Sequence, residues 1–197
     1  MREVELKAVV PDVQEARRQL HAAGVSVRFE GALCDWRYDT PERSLTARDQ
    51  VLRVRLERDA HGERTRLEFK GAAAIADGYK VREELGTSAG DGMSLHGILE
   101  SLGYVVTREV DREIAVYEAE GAIVRFERYP QMDALVEVEG DPMAIERAIA
   151  RLGIPRASFT AEPLVNFVRR FEQRTGLRAA LCHRELAGDY RFRVDDA

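Results

Sequence analysis

The chain has 197 residues, 45% of them hydrophobic and 33% charged, which is the composition of a folded domain and excludes a disordered chain. Thirty Lys and Arg against thirty-five Asp and Glu leave a net charge of -5, which argues against general coating of nucleic acid. Two cysteines, Cys34 and Cys182, are too few for a disulfide framework and lack metal-ligand spacing. No apolar run approaches the roughly 18 residues that cross a bilayer. Acids at Glu3 and Glu5 occupy the place of a leader's apolar stretch, so the expectation is a single-domain cytoplasmic protein.

Residues 3–10 alternate charged and apolar side chains, the pattern of a half-buried strand. Asp12 then caps a helix reaching about Ala23, with Gly24 as its stop and Val13, Ala16, Leu20 and Ala23 as its buried stripe. Strand-like segments follow at 25–29 and around 35–38. Residues 51–58 and 63–70 read as a hairpin about the turn 59–62. Residues 71–78 are a small-residue loop without the Gly-Lys-Ser/Thr of a phosphate-binding P-loop. A strand at 79–85 and a helix at 93–102 come next, then strands at 105–117, 122–127 and 134–139. Asp141-Pro142 starts a helix with Met143, Ile145, Ala148, Ile149 and Leu152 on its apolar face. A last amphipathic helix spans about 162–174, and residues 190–194 alternate like an edge strand or belong to a disordered end that includes Asp195 and Asp196. The histidines are scattered and read as surface residues; Trp36 and Cys34 read as packing. About eight strands joined mostly by short turns predict an antiparallel sheet able to close into a barrel.

Sorting each strand by parity separates two faces. Glu3, Glu5 and Lys7 share one face; so do Arg53 and Arg55, then Glu68 and Lys70, then Arg82 and Glu84, then Arg125 and Glu127, then Glu137 and Glu139. Two readings stay open. The charges form a solvated outer face with cross-strand pairs, or the helices cover the apolar face and the charges line a lumen. In the lumen, Arg and Lys at this density suit phosphate oxygens, and clustered carboxylates suit hard divalent ions.

The segment Glu3-Val4-Glu5-Leu6-Lys7 resembles the ExExK signature of the CYTH superfamily, the triphosphate tunnel metalloenzymes. The resemblance extends in order through Asp35-Trp36-Arg37-Tyr38, Leu52-Arg53-Val54-Arg55, Glu68-Phe69-Lys70-Gly71, Arg82-Glu83-Glu84, Arg112-Glu113-Ile114 and Leu135 to Glu139. It covers about residues 1–170 and is most similar to the class IV adenylyl cyclase-like branch. It implies an α+β fold, an eight-stranded antiparallel barrel with helices packed outside. A CYTH domain is expected over 1–175, with 176–197 as a C-terminal extension, an edge strand or flexible tail.

The resemblance further implies that Lys7, Arg53, Arg55, Lys70, Arg82 and Arg112 cradle a triphosphate. Glu3, Glu5, Glu127, Glu137 and Glu139 become candidate ligands for Mg2+ or Mn2+, and Glu5, Lys7 and Lys70 the candidate catalytic set. Glu127 stands where the family usually has Asp. The family's Lys-x-Arg pair reads Val110-Asp111-Arg112 here, so a lysine is missing, and Arg108 or Arg125 is the candidate replacement. Ala115 replaces a usual tyrosine. The implied activity is hydrolysis of inorganic, thiamine or nucleoside triphosphate. The alternatives are a class IV cyclase making cyclic AMP and pyrophosphate, and a binding sensor without turnover. The expected partner is a small-molecule triphosphate, with no nucleic acid or membrane, on a monomer or homodimer.

Overall fold

The computed structural model describes residues 2–194. Strand β1 (Arg2–Val9) leads to helix α1 (Val13–Ala22), then to β2 (Val27–Asp39), β3 (Val51–Asp59), β4 (Gly62–Lys70), β5 (Ala74–Ala76) and β6 (Tyr79–Ala89). Helix α2 (Gly92–Ser101) precedes β7 (Val105–Ala119), β8 (Ala122–Arg128) and β9 (Leu135–Glu139). Helices α3 (Pro142–Arg151), α4 (Leu164–Thr175) and α5 (His183–Leu186) complete the order. No helix among the described residues is long and apolar enough to cross a membrane.

Eight strands form an antiparallel ring in the order β1-β9-β8-β7-β2-β3-β4-β6, closed by β6 pairing back onto β1. Closure removes both long sheet edges. The extra strand, β5, pairs with the first residues of β6. It forms within the segment expected to be a loop, where three residues are too short to show a period.

Local chemistry and burial agree at the helices. The Asp12 carboxylate accepts the Glu15 N–H at 2.9 Å, and Gly24 takes a left-handed φ of 78° at the stop of α1. Ala16 and Leu20 of α1 and Ile145, Ala148 and Ile149 of α3 pack on Leu6, Tyr117, Val124 and Val138. The helices therefore cover the apolar parity set, which sends the charged set inward. Removing Leu20 or Ile145, each fully buried, costs about 2–5 kcal/mol on truncation to alanine.

Three differences from the sequence reading have physical reasons. The segments at 25–29 and 35–38 belong to one strand, β2, because Gly31 marks a close approach rather than a break: a Cβ there would run into the Arg58 carbonyl. His96 is half-buried, edge-on to Trp36 at 5.0 Å and bonded to the Tyr38 hydroxyl, so it anchors α2 on the barrel. Residues 190–194 form no strand; Asp195 and Asp196 lie outside the described residues.

The chain beyond α4 instead repairs the barrel wall. Strand β7 pairs with β8 only from Glu113 onward, leaving its first half without that neighbour. Asp111 N–H donates to the Leu181 carbonyl at 2.7 Å, and Ala180 bridges to Gln131. Leu181 joins Phe167, Val168 and Phe171 of α4 against Val110, Tyr129 and Leu135. The inward-pointing apolar residues Val110 and Leu135 thus find an apolar plug.

Candidate active site

Register brings the charged residues together. Lys7 stands beside Glu137 across β1 and β9, Arg125 beside Glu137 across β8 and β9, and Arg53 beside Glu68 across β3 and β4. They enclose a cavity of 390 Å³ whose wall includes Glu5, Lys7, Arg53, Arg55, Lys70, Arg82, Arg112, Arg125, Glu127 and Glu137. That volume lies within the usual range for small-molecule sites.

The centre of the wall is an ionic lattice. Asp35, 3% exposed, accepts from Arg55 at 2.7 and 2.8 Å and from Arg53 at 3.3 Å, and also pairs with Arg112. Burial alone would raise its carboxyl, but the three guanidinium groups outweigh burial and hold it well below the usual range. Glu68 behaves alike: burial raises it, while Arg53 and Arg55 pull it down to about 2. Arg37, which also lines the cavity, is pushed down to about 10 by burial and the neighbouring Arg53. Asp35, Arg37 and Glu68 were not among the candidates. Asp35 and Arg37 share the inward parity of β2, a signal that reading 27–39 as one strand would have exposed.

On the β1 side, the Lys7 ammonium pairs with Glu5 and Glu137, both at 2.7 Å, and Lys80 donates to Glu5 at 2.6 Å. Burial opposes charge on Lys7, but Glu137 and Glu5 prevail and raise it above its ordinary value. Glu137 also meets Arg125 at 2.5 Å; Lys7 and Arg125 overcome burial and hold its carboxyl well below the usual range. Lys70 donates to both Glu3 oxygens at 3.0 and 3.1 Å and pairs with Glu84. Burial, then the charge of Arg53, lowers Lys70 to about 8.

Some candidates are engaged elsewhere. Arg108 does not line the cavity; it makes a buried bidentate pair with Glu185 of α5 at 2.8 and 2.9 Å. Arg125 does line it, on the wall next to Glu137, so of the two replacements considered only Arg125 faces the cavity. Arg82 reaches the cavity but donates to the carbonyls of Gly71 and Asp49, both at 2.7 Å, tying two mouth segments together. Glu127 is gripped by Arg112 at 2.9 Å and by the Tyr129 hydroxyl at 2.6 Å.

Three of the five candidate metal ligands converge. Ligand oxygens of Glu3, Glu137 and Glu139 lie within 4.8 Å of one another. Burial, then the charges of Glu137 and Glu3, raises the Glu139 carboxyl, the mark of acids crowded beyond what nearby cations neutralise. The three converging carboxylates are a hard-oxygen donor set suited to Mg2+ or Mn2+.

The strands thus build a closed barrel with cationic and carboxylate side chains along its inner wall. The CYTH domain model matches residues 1–150, and the chain belongs to that family. Among solved structures, a candidate adenylate cyclase from Vibrio parahaemolyticus is similar with a TM-score of 0.72 at 21% identity, covering 85% of this chain and 97% of its own. A Pyrococcus horikoshii protein gives the same TM-score and identity, covering 85% of this chain and 98% of its own. A candidate adenylyl cyclase from Hippeastrum, described as having a dominant triphosphatase activity, has a TM-score of 0.60 at 17% identity over 91% of this chain and 98% of its own. At these identities the likeness is one of fold. Among curated proteins, none matches the sequence.

Proposed function

We propose that this protein is a divalent-metal-dependent triphosphatase, hydrolysing a triphosphate held in the barrel. The observation that carries the reading is the adjacency of two chemistries around Glu137: Lys7 and Arg125 on its oxygens, and the carboxylates of Glu3 and Glu139 within ligand range. Phosphoryl transfer asks the protein mainly for positioning and charge neutralisation.

Lys7, Arg53, Arg55, Lys70, Arg112 and Arg125 grip non-bridging phosphate oxygens, exchanging part of their present carboxylate contacts for them. Glu3, Glu137 and Glu139 would hold a divalent cation, which would supply charge neutralisation when bound. Glu5, between Lys7 and Lys80, orients the attacking water. Water adds to a terminal phosphorus as the bond to the bridging oxygen breaks, giving orthophosphate, diphosphate and a released proton. The dominant triphosphatase activity described for the Hippeastrum protein supports hydrolysis over cyclisation, and the Vibrio parahaemolyticus protein's description keeps cyclisation as the rival outcome.

The test supplies inorganic triphosphate, thiamine triphosphate and ATP with Mg2+ or Mn2+, alongside Glu137→Ala and Lys70→Ala. Phosphate release lost in both variants supports the proposal. Cyclic AMP with pyrophosphate from ATP makes the protein a cyclase, and binding without any product makes it a sensor.

A further inference from the structure

The lumen changes character along its strands. On β2 the inward positions run from Arg37 and Asp35 to Leu33, Gly31 and Phe29, and on β7 from Arg112 to Ile114 and Val116. Register keeps the apolar members together: Gly31 faces Ile114, and Phe29 faces Val116. Leu33 and Ile114 are buried, and the Phe29 ring lies across Gly31, 3.1 Å from where a Cβ would stand. One side of the lumen, at the end away from Asp39 and Asp49, is therefore an apolar wall.

The strands facing that wall keep their charge. Arg55 of β3 stands directly across from Arg66 of β4, an arrangement in which like charges repel. Gly86 makes room for the Arg66 guanidinium, which lies 3.2 Å from where a Cβ would stand. Arg66 meets Glu68 at 3.1 Å, but Arg53 already holds that carboxylate at 2.6 Å. The Arg64 guanidinium sits over the Phe29 ring, 5.7 Å from its centroid. These two walls enclose a second cavity, of 340 Å³, which shares only Arg55 and Arg125 with the first. Its one carboxylate, Glu57, meets Arg64 at 3.6 Å.

We infer that this second cavity is a ligand site of its own, for a small anion carrying a flat apolar body, such as an aromatic carboxylate. The anionic end relieves the repulsion between Arg55 and Arg66, and the body covers Leu33, Ile114 and Phe29. A bare phosphate would leave the apolar wall wet, and an uncharged ring would leave the arginines facing each other. Because Arg55 and Arg125 belong to both cavities, an anion in one reduces the positive charge available to the other. On the reading of the first cavity as a triphosphate site, the second is therefore inhibitory, and the weakening is mutual.

The test titrates naphthoate, its uncharged amide and orthophosphate into the intact chain without metal, followed by fluorescence and calorimetry. Naphthoate is expected to bind at one site, with the amide and orthophosphate about tenfold weaker or more. Arg66→Ala and Phe29→Ala are each expected to weaken naphthoate about tenfold and to leave the affinity for inorganic triphosphate with Mg2+ unchanged. Lys70→Ala, in the wall of the first cavity alone, is expected to do the reverse. Inorganic triphosphate with Mg2+ is expected to raise the naphthoate Kd by about 5- to 50-fold and then to plateau, since both ligands stay bound. A rise without limit puts both ligands in one site and overturns the inference. So does absence of naphthoate binding, orthophosphate binding equally well, or a naphthoate affinity that neither Arg66→Ala nor Phe29→Ala moves. Naphthoate bound as expected by a chain that binds no triphosphate leaves the second site standing and overturns the triphosphatase reading alone.

Discussion

Asp35 and Arg55 face each other across β2 and β3 and share a bidentate pair at 2.7 and 2.8 Å, at the centre of a lattice that also takes in Arg53 and Arg112. One carboxylate therefore keeps three guanidinium groups together inside the barrel. Replacing it by Asn leaves buried like charges facing one another, which costs about 3–5 kcal/mol. Asp35→Asn is expected to lower Tm by roughly 10 °C in a chain of this size. A urea midpoint unchanged from wild type would show that the lattice relaxes without Asp35.

Glu137 and Glu127 are both inward-facing acids, yet their partners differ. Glu137 lies in the acid trio, whereas Glu127 is held by Arg112 and Tyr129. Glu137→Gln is expected to reduce Mn2+ affinity by roughly 10- to 100-fold, and Glu127→Gln to do so far less. Titration calorimetry with Mn2+ alone separates them; equal losses would return Glu127 to the ligand set.

Glu68 ties stability to acid. Its folded value, about 2, lies below the ordinary 4.5, so its contribution is complete above about pH 4.5 and is lost as pH falls from there toward 2. The difference corresponds to about 3 kcal/mol. Melting curves between pH 6 and pH 3 are expected to fall less steeply for Glu68→Gln than for wild type. Parallel slopes would remove Glu68 from the acid response.

Arg82 was expected to bind phosphate, but its hydrogen bonds go to the carbonyls of Gly71 and Asp49. Arg82→Ala is expected to speed amide hydrogen exchange across residues 46–50 and 71–76 and to raise KM for triphosphate less than Arg53→Ala does. The reverse order of KM effects would make Arg82 a phosphate ligand.

The barrel was legible because period-two alternation recurs on strand after strand, and because the amphipathic helices needed an apolar face to cover. Lys7, Arg53, Arg55, Arg125 and Glu137 share that parity, whereas Arg112 came from the family resemblance. What escaped was set by contacts distant in sequence. Gly31 looks like a strand break until the Arg58 carbonyl is seen against it. Arg108 has the right parity for the lumen, but Glu185, seventy-seven positions later, claims it. Residues 177–189 carry no periodic signal and the alternation at 190–194 forms no strand, since the place of this segment is decided by the half of β7 that β8 leaves unpaired.

The first strand of the barrel is completed on one side by β6 and on the other by β9, with Thr160 joined to Lys7. Its pairing with β9 brings together residues more than a hundred positions apart, so much of the loop entropy must be paid before that contact forms. During synthesis β1 can join β6 once about the first 90 residues have emerged, but its other edge waits for β9, fifty residues later. The ring therefore shuts last, when β9 arrives to fill the gap between β1 and β8.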